Sequence, residues 1–204
     1  MFTTHKKRTI VLLSALATIM AMAFVLTSCG SKGNAVTDNP YKGGTAADLS
    51  GYKSMRDYTG ENMLVETTVA EAEENIKSGK SFVLFMSYAD CPYCNRLIPY
   101  LNEAAVEQGV YIGYIDTRKD PSWQSNMDID DYDVFVKRFD KYLEDDEDGK
   151  KHLYTPDTYF IKNGKVVARH DGVTPGADDP SHPLTASQEE RLREDLANEF
   201  ASIK

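Results

Sequence analysis

Two cysteines, Cys91 and Cys94, stand three residues apart with Pro92 and Tyr93 between them. A thiol pair at that spacing exchanges with other disulfides, forms an inert cross-link, or supplies half of a zinc site. Zinc wants four ligands, and His152, His170 and His182 form no second pair at ligand spacing. A two-residue gap closes too small a loop to constrain the unfolded chain much, so a purely structural bridge is poorly motivated. Redox exchange is the chemistry the pair fits best. Only the thiolate attacks a disulfide, and an unperturbed thiol, titrating near ~8.5, is a few per cent ionised at neutral pH. Something in the fold must therefore favour the anion.

The flanking residues supply it. Phe82 to Met86 is an unbroken apolar run after the turn-forming Ser78-Gly-Lys-Ser81, the pattern of a strand buried on both faces. Pro92 falls where a helix would begin, a position that tolerates its missing N–H and already has its φ. Cys94, Leu97, Ile98, Leu101 and Ala105 then repeat on one helical face. Cys91 thus stands at a helix N-terminus, where free N–H groups and the helix dipole favour a negative charge by about 1–2 kcal/mol. Cys91 is the expected attacking sulfur, and Cys94, one turn in, the resolving one.

Around this unit the chain alternates. A short strand is expected within Glu61–Glu66, then a helix from the N-cap Thr68 to Lys77 with Gly79 as its stop. Gly109 ends the cysteine helix, and Val110–Ile115 reads as a second buried strand. An acidic insertion occupies about 120–151, with Trp123, a helix over about 132–143 and the run Glu144-Asp-Asp-Glu-Asp148. It either covers the site or contacts a partner, or is simply a solvated excursion. The spacing Glu144, Asp146, Asp148 mimics an EF-hand start, but Thr155 stands where a bidentate Glu is needed. Residues 158–168 read as a hairpin with an Asn163-Gly164 turn. Thr185 caps a last helix to about Ile203, with Leu192, Leu196, Ala197 and Phe200 inward. The predicted class is α/β: a central mixed β-sheet flanked by helices on both faces, with its site at the carboxyl ends of the strands.

From about Glu61 onward the chain resembles the thioredoxin superfamily. Pro99, eight residues after Cys91, matches the proline that kinks that family's active-site helix, and Thr155-Pro156 matches its cis-proline position. Gly164 and Gly172 follow at the family's spacing. The resemblance implies a thioredoxin-like fold, a cis Thr155–Pro156 bond facing the cysteines, and pairing of the Thr155 backbone with an extended substrate segment. The alternative for Pro156 is an ordinary trans loop proline. There are departures. Phe85 stands where thioredoxins carry a buried Asp, and the usual Trp before the first cysteine is missing. Asp90 is either a substitute proton acceptor or a solvated turn residue. The Pro92-Tyr93 pair is that of glutaredoxins, implying a potential less reducing than the ~−270 mV of thioredoxin. The chain also resembles the bacteriocin-transport accessory proteins of Gram-positive bacteria.

The N-terminus adds a location. Lys6, Lys7 and Arg8 precede an apolar run from Ile10 to Leu26, so residues 1–28 read as a secretory signal. Leu26-Thr-Ser-Cys29 resembles the lipobox of bacterial lipoproteins, which implies lipidation at Cys29 and a lipid anchor in the cell membrane. The alternatives are an ordinary signal cut near Ser28 or an uncleaved anchor. Residues 29–60 read as a flexible tether and 61–204 as the thioredoxin-like domain. The signal holds three of the 23 basic residues and none of the 32 acidic ones, so the remainder carries −12, which argues against nucleic acid as a partner. With Cys29 lipidated, Cys91 and Cys94 are the only thiols left.

Together these readings predict a membrane-tethered, extracytoplasmic thiol–disulfide oxidoreductase. It needs no cofactor or metal beyond the redox-active pair, and it exchanges with exported protein or peptide thiols and a membrane redox partner. Other readings are a non-catalytic adaptor and a reductase feeding peroxide defence or cytochrome maturation.

Overall fold

The computed structural model describes residues 38–118 and 129–204. The signal segment 1–28, Cys29 and Trp123 lie outside the described residues. Strand β1 is Leu64–Glu66, helix α1 Val69–Lys77, β2 Phe82–Ser87, α2 Pro92–Gln108 and β3 Ile112–Asp116. Helix α3, Ile129–Phe139, runs into a 3₁₀ turn at Asp140–Tyr142, and a small hairpin joins β4 (Glu144–Asp145) to β5 (Lys151–His152). Strands β6 (Asp157–Lys162) and β7 (Lys165–Asp171) and helix α4 (Ala186–Ser202) complete the order.

The main sheet has the order β1-β3-β2-β6-β7, with β3 parallel to both β1 and β2, and β6 antiparallel to β2 and β7. Strand β2 is central, and all of Phe82 to Met86 are 0% exposed. Each such side chain contributes about 1.5–3 kcal/mol by leaving water. The pleat sends Val83 and Phe85 into a core with Leu97, Ile98 and Leu101 of α2 and Leu192, Leu196 and Phe200 of α4. It sends Phe82, Leu84 and Met86 to the other face, against Val69 and Ala72 of α1 and Phe135 and Phe139 of α3. This is the expected mixed sheet with helices on both faces, and it is compatible with a thioredoxin-like fold.

Local signals explain the boundaries. Thr68 and Glu71 form a reciprocal capping box at α1, and Thr185 and Gln188 do the same at α4. Gly109 ends α2 in the left-handed region at φ 64°. The β6–β7 turn places Asn163 and Gly164 at φ 51° and 71°, the two positive values of a type I′ turn.

Three expectations change. The described part of the supposed tether, residues 38–60, is packed rather than flexible: Tyr41, Ala47, Leu49, Tyr52 and Met55 are buried. Ala46 bridges Val65 in antiparallel fashion, extending the sheet beyond β1. Across residues 38–60 no helix or strand period is sustained, although Leu49, Tyr52 and Met55 recur every third residue in successive turns. The described part of the insertion is not simply solvated either, since Phe135 and Phe139 of α3 cover the sheet against Tyr159. Its acidic run does stay at the surface, where Asp146 Oδ1 accepts from the N–H groups of Asp148 and Lys150 and so caps its own turn. Finally, Ala197 is exposed, while Leu192, Leu196 and Phe200 are buried as expected. Among the described residues, no helix is long and apolar enough to cross a membrane, and no cluster of three or more His, Cys, Asp or Glu side chains is placed to hold a metal ion.

Candidate active site

The strand–turn–helix unit places Cys91 as the N-cap of α2 and Pro92 in its first turn. Cys91 and Cys94 are joined in a disulfide, with Cα atoms 5.1 Å apart, inside the usual range. The Cys94 backbone N–H donates to Cys91 Sγ at 3.1 Å. In the reduced protein that same helix-terminal donor faces the Cys91 sulfur, where an N–H favours the anion over the thiol.

Asn95 holds the turn. Its side-chain amide donates to the carbonyls of Ala89 and Cys91, at 2.5 and 2.9 Å. Its Oδ1 accepts from the Ser54 N–H at 3.3 Å, tying the N-terminal segment to the turn. Gly51 lies so close to Ala89 that a Cβ there would come within 2.9 Å of the alanine methyl. Pro99 sits inside α2 without interrupting it.

The sheet brings Thr155 and Pro156 to the same place from the opposite direction. Their peptide bond is cis. The Thr155 carbonyl oxygen lies 3.7 Å from Cys91 Sγ, and Thr155 Oγ1 lies 4.0 Å from it. Cys91, Pro92, Tyr93, Cys94, Thr155 and Pro156 therefore form one cluster. Asp90 is an exposed residue of the turn before it, and no hydrogen bond among the described residues joins it to either cysteine.

An attacking sulfur at a helix start has to be reached from solvent, yet Cys91 is only 1% exposed and Cys94 is 0%. Both belong to the same buried cluster as Val173 and Ala177, from the loop after β7. That loop is fastened to α2: Tyr93 Oη donates to the Asp178 carbonyl, and the Arg96 guanidinium donates to the carbonyls of Ala177, Asp179 and His182. His170 holds its root, with Nε2 2.7 Å from the Val173 carbonyl and Nδ1 3.1 Å from a Glu199 carboxylate oxygen. A carboxylate and a carbonyl both accept, an arrangement that the doubly protonated ring satisfies with both N–H groups. Burial alone would lower the His170 pKa, but Glu199 and the Val173 carbonyl outweigh it and raise the pKa above the ordinary value.

A buried hydroxyl group of three occupies the cysteine face of the sheet. Tyr52 Oη lies 2.7 Å from Ser87 Oγ and 3.0 Å from Tyr114 Oη, near the wholly buried Phe85. Sequence reading missed these residues along with Asn95, Arg96 and His170. Only the N-cap position of Cys91 carried a local signal; the rest are partners brought together by the fold. Outside the disulfide, a groove of about 720 Å³ runs along α2 from Pro92 to Glu103 and is walled by Pro180–Leu184.

Neither a scan against models of protein families nor a search of curated proteins finds a match to this chain. The arrangement itself is a C-x-x-C disulfide at a helix start in a mixed α/β fold, compatible with a redox role.

Proposed function

We propose that the protein is a thiol–disulfide oxidoreductase of thioredoxin type, working through Cys91 and Cys94. The observation that carries this reading is the Cys94 N–H held 3.1 Å from Cys91 Sγ, with the Thr155 carbonyl oxygen 3.7 Å from the same sulfur. The Cys91 thiolate attacks one sulfur of a substrate disulfide, forming a mixed disulfide and releasing the other substrate sulfur as a thiolate. Cys94, losing its proton to that leaving sulfur, attacks Cys91, releases the second substrate thiol and closes the Cys91–Cys94 bond. Two electrons pass from the protein dithiol to the substrate; run backward, the same steps oxidise a substrate dithiol.

The location belongs to the same proposal. The basic head, the apolar run and Cys29 in Leu26-Thr-Ser-Cys29 support a lipid anchor on the extracytoplasmic side of the membrane. Exported proteins or peptides are then the substrates, and a membrane redox partner resets the pair. Asp90, exposed and without a bond to the cysteines, is assigned no proton-transfer step.

A second reading has one observation behind it. Cys91 at 1% exposure is also what a non-catalytic adaptor with an inert bridge would show. Trapping separates the two. With Cys94→Ala, incubation with a peptide disulfide should leave a covalent mixed disulfide on Cys91, whereas an inert bridge leaves none.

A further inference from the structure

We propose that residues 172–183 form a strap that gates the Cys91–Cys94 bond, with Arg96 as the positioning residue that fastens it. Resting on the redox reading above, this assigns the strap the regulation of that same bond. The strap leaves β7 at Gly172, whose N–H donates to the Pro156 carbonyl at 3.1 Å, and it returns to the body at the α4 cap, Thr185. Between those points it joins neither a strand ladder nor a helix. Its own backbone bonds, among the described residues, are Ala177 N–H to the Thr174 carbonyl and His182 N–H to the Asp179 carbonyl.

Four side chains hold it to the rest of the molecule. Arg96 takes three of its carbonyls, Tyr93 takes Asp178, His170 takes Val173, and Gln188 Nε2 donates to the Gly176 carbonyl at 2.7 Å. Two of the four, Tyr93 and Arg96, belong to the first turns of the cysteine helix, on either side of Cys94. With the strap in place, Val173 and Ala177 lie in the same buried cluster as the cysteines, and Cys91 and Cys94 are both buried.

The strap is also built to lift. Gly172 and Gly176 sit at φ 70° and 80°, a region glycine enters freely. Among the described residues, Thr174 Oγ1 is buried without a hydrogen-bond partner, and lifting would hydrate it. Segments held by a few polar side-chain bonds, outside any ladder, belong to the low-stability end of a structure and open locally. Lifting exposes the sulfur that a substrate must reach in line.

The test reads the protein's own disulfide and needs no substrate. Oxidised full-length protein is mixed with dithiothreitol, which gives up two electrons and closes to its cyclic disulfide as Cys91 and Cys94 become thiols. Quenching with an alkylating agent and weighing the product gives the rate. Arg96→Met, which keeps the stem and removes the donors, should speed reduction about tenfold. Gln188→Glu, which keeps the α4 cap and loses the bond to Gly176, should speed it about threefold. Equilibrium against glutathione should be unmoved in both, because a gate changes forward and reverse rates together. Folded variants reduced at the wild-type rate would overturn the gate, as would faster reduction with a shifted equilibrium. If Arg96→Met does not fold, Gln188→Glu decides. A redox-inert protein, by contrast, would show a gated bond here and no mixed disulfide with Cys94→Ala.

Discussion

The Cys94 amide and the Cys91 sulfur face each other at 3.1 Å across the first turn of α2. A free helix-terminal N–H directed at a sulfur favours its anion by an amount on the order of 1 kcal/mol, and burial works against it. Titration of reduced protein by thiolate absorbance near ~240 nm weighs the two. The sulfur that ionises below the ~8.5 of a free thiol should be Cys91. Cys91→Ser should remove that step and Cys94→Ser should keep it; a first ionisation above the free-thiol value would show that burial wins.

His170 predicts a pH dependence of stability. Its folded pKa is raised, so its contribution is fully present below the ordinary histidine value, ~6.5, and is lost as pH rises through the folded value. Urea unfolding from pH 5.5 to 8.5 should show stability falling over that range, superimposed on other titrations. His170→Leu should flatten this component and cost about 1–3 kcal/mol at the acid end, the scale of a charge-assisted hydrogen bond. An unchanged pH profile in His170→Leu would refute the assignment.

Asp157 and Arg169 make a second, independent pair under the opposite face of the sheet. The carboxylate is wholly buried, accepts from Arg169 Nε at 2.8 Å and Nη2 at 3.0 Å, and accepts from Tyr159 Oη. Burial still raises the Asp157 pKa to about 6. Arg169→Met strands this group and should cost about 3–5 kcal/mol, whereas Asp157→Leu combined with Arg169→Met should recover most of the loss. A denaturation double-mutant cycle measures both, and additive losses would contradict the pairing.

Tyr52 anchors the N-terminal segment. It is 1% exposed, and its hydroxyl joins Ser87 and Tyr114. Tyr52→Ala should destabilise the protein by about 3–5 kcal/mol, as truncation of a large core aromatic does. If residues 38–60 were a free tether, the same change would leave the unfolding midpoint where it was.

Much of this was legible in the chain. The apolar run Phe82–Met86, Pro92, the Thr68 and Thr185 caps and the Asn163-Gly164 turn each announce their structure through local chemistry. The strap and the N-terminal segment did not. Leu49, Tyr52 and Met55 recur every third residue, a run too short to announce a helix or a strand, so only the fold shows them buried. Arg96 and Asn95 bond chiefly to backbone carbonyls, as His170 does at Val173, and those partners leave no trace in side-chain sequence. Cys91 shares its buried cluster with Val173 and Ala177, some eighty residues away, which the C-x-x-C spacing alone could not reveal.

The proposed function requires that Cys91 and Cys94 carry electrons between molecules. Turbidity of insulin in dithiothreitol measures this directly, because the reduced B chain precipitates as its disulfides break. The wild-type protein should shorten the lag in proportion to its concentration, and Cys91→Ser should abolish the effect. A wild-type protein that leaves the lag unchanged, or a Cys91→Ser variant as active as the wild type, would contradict it.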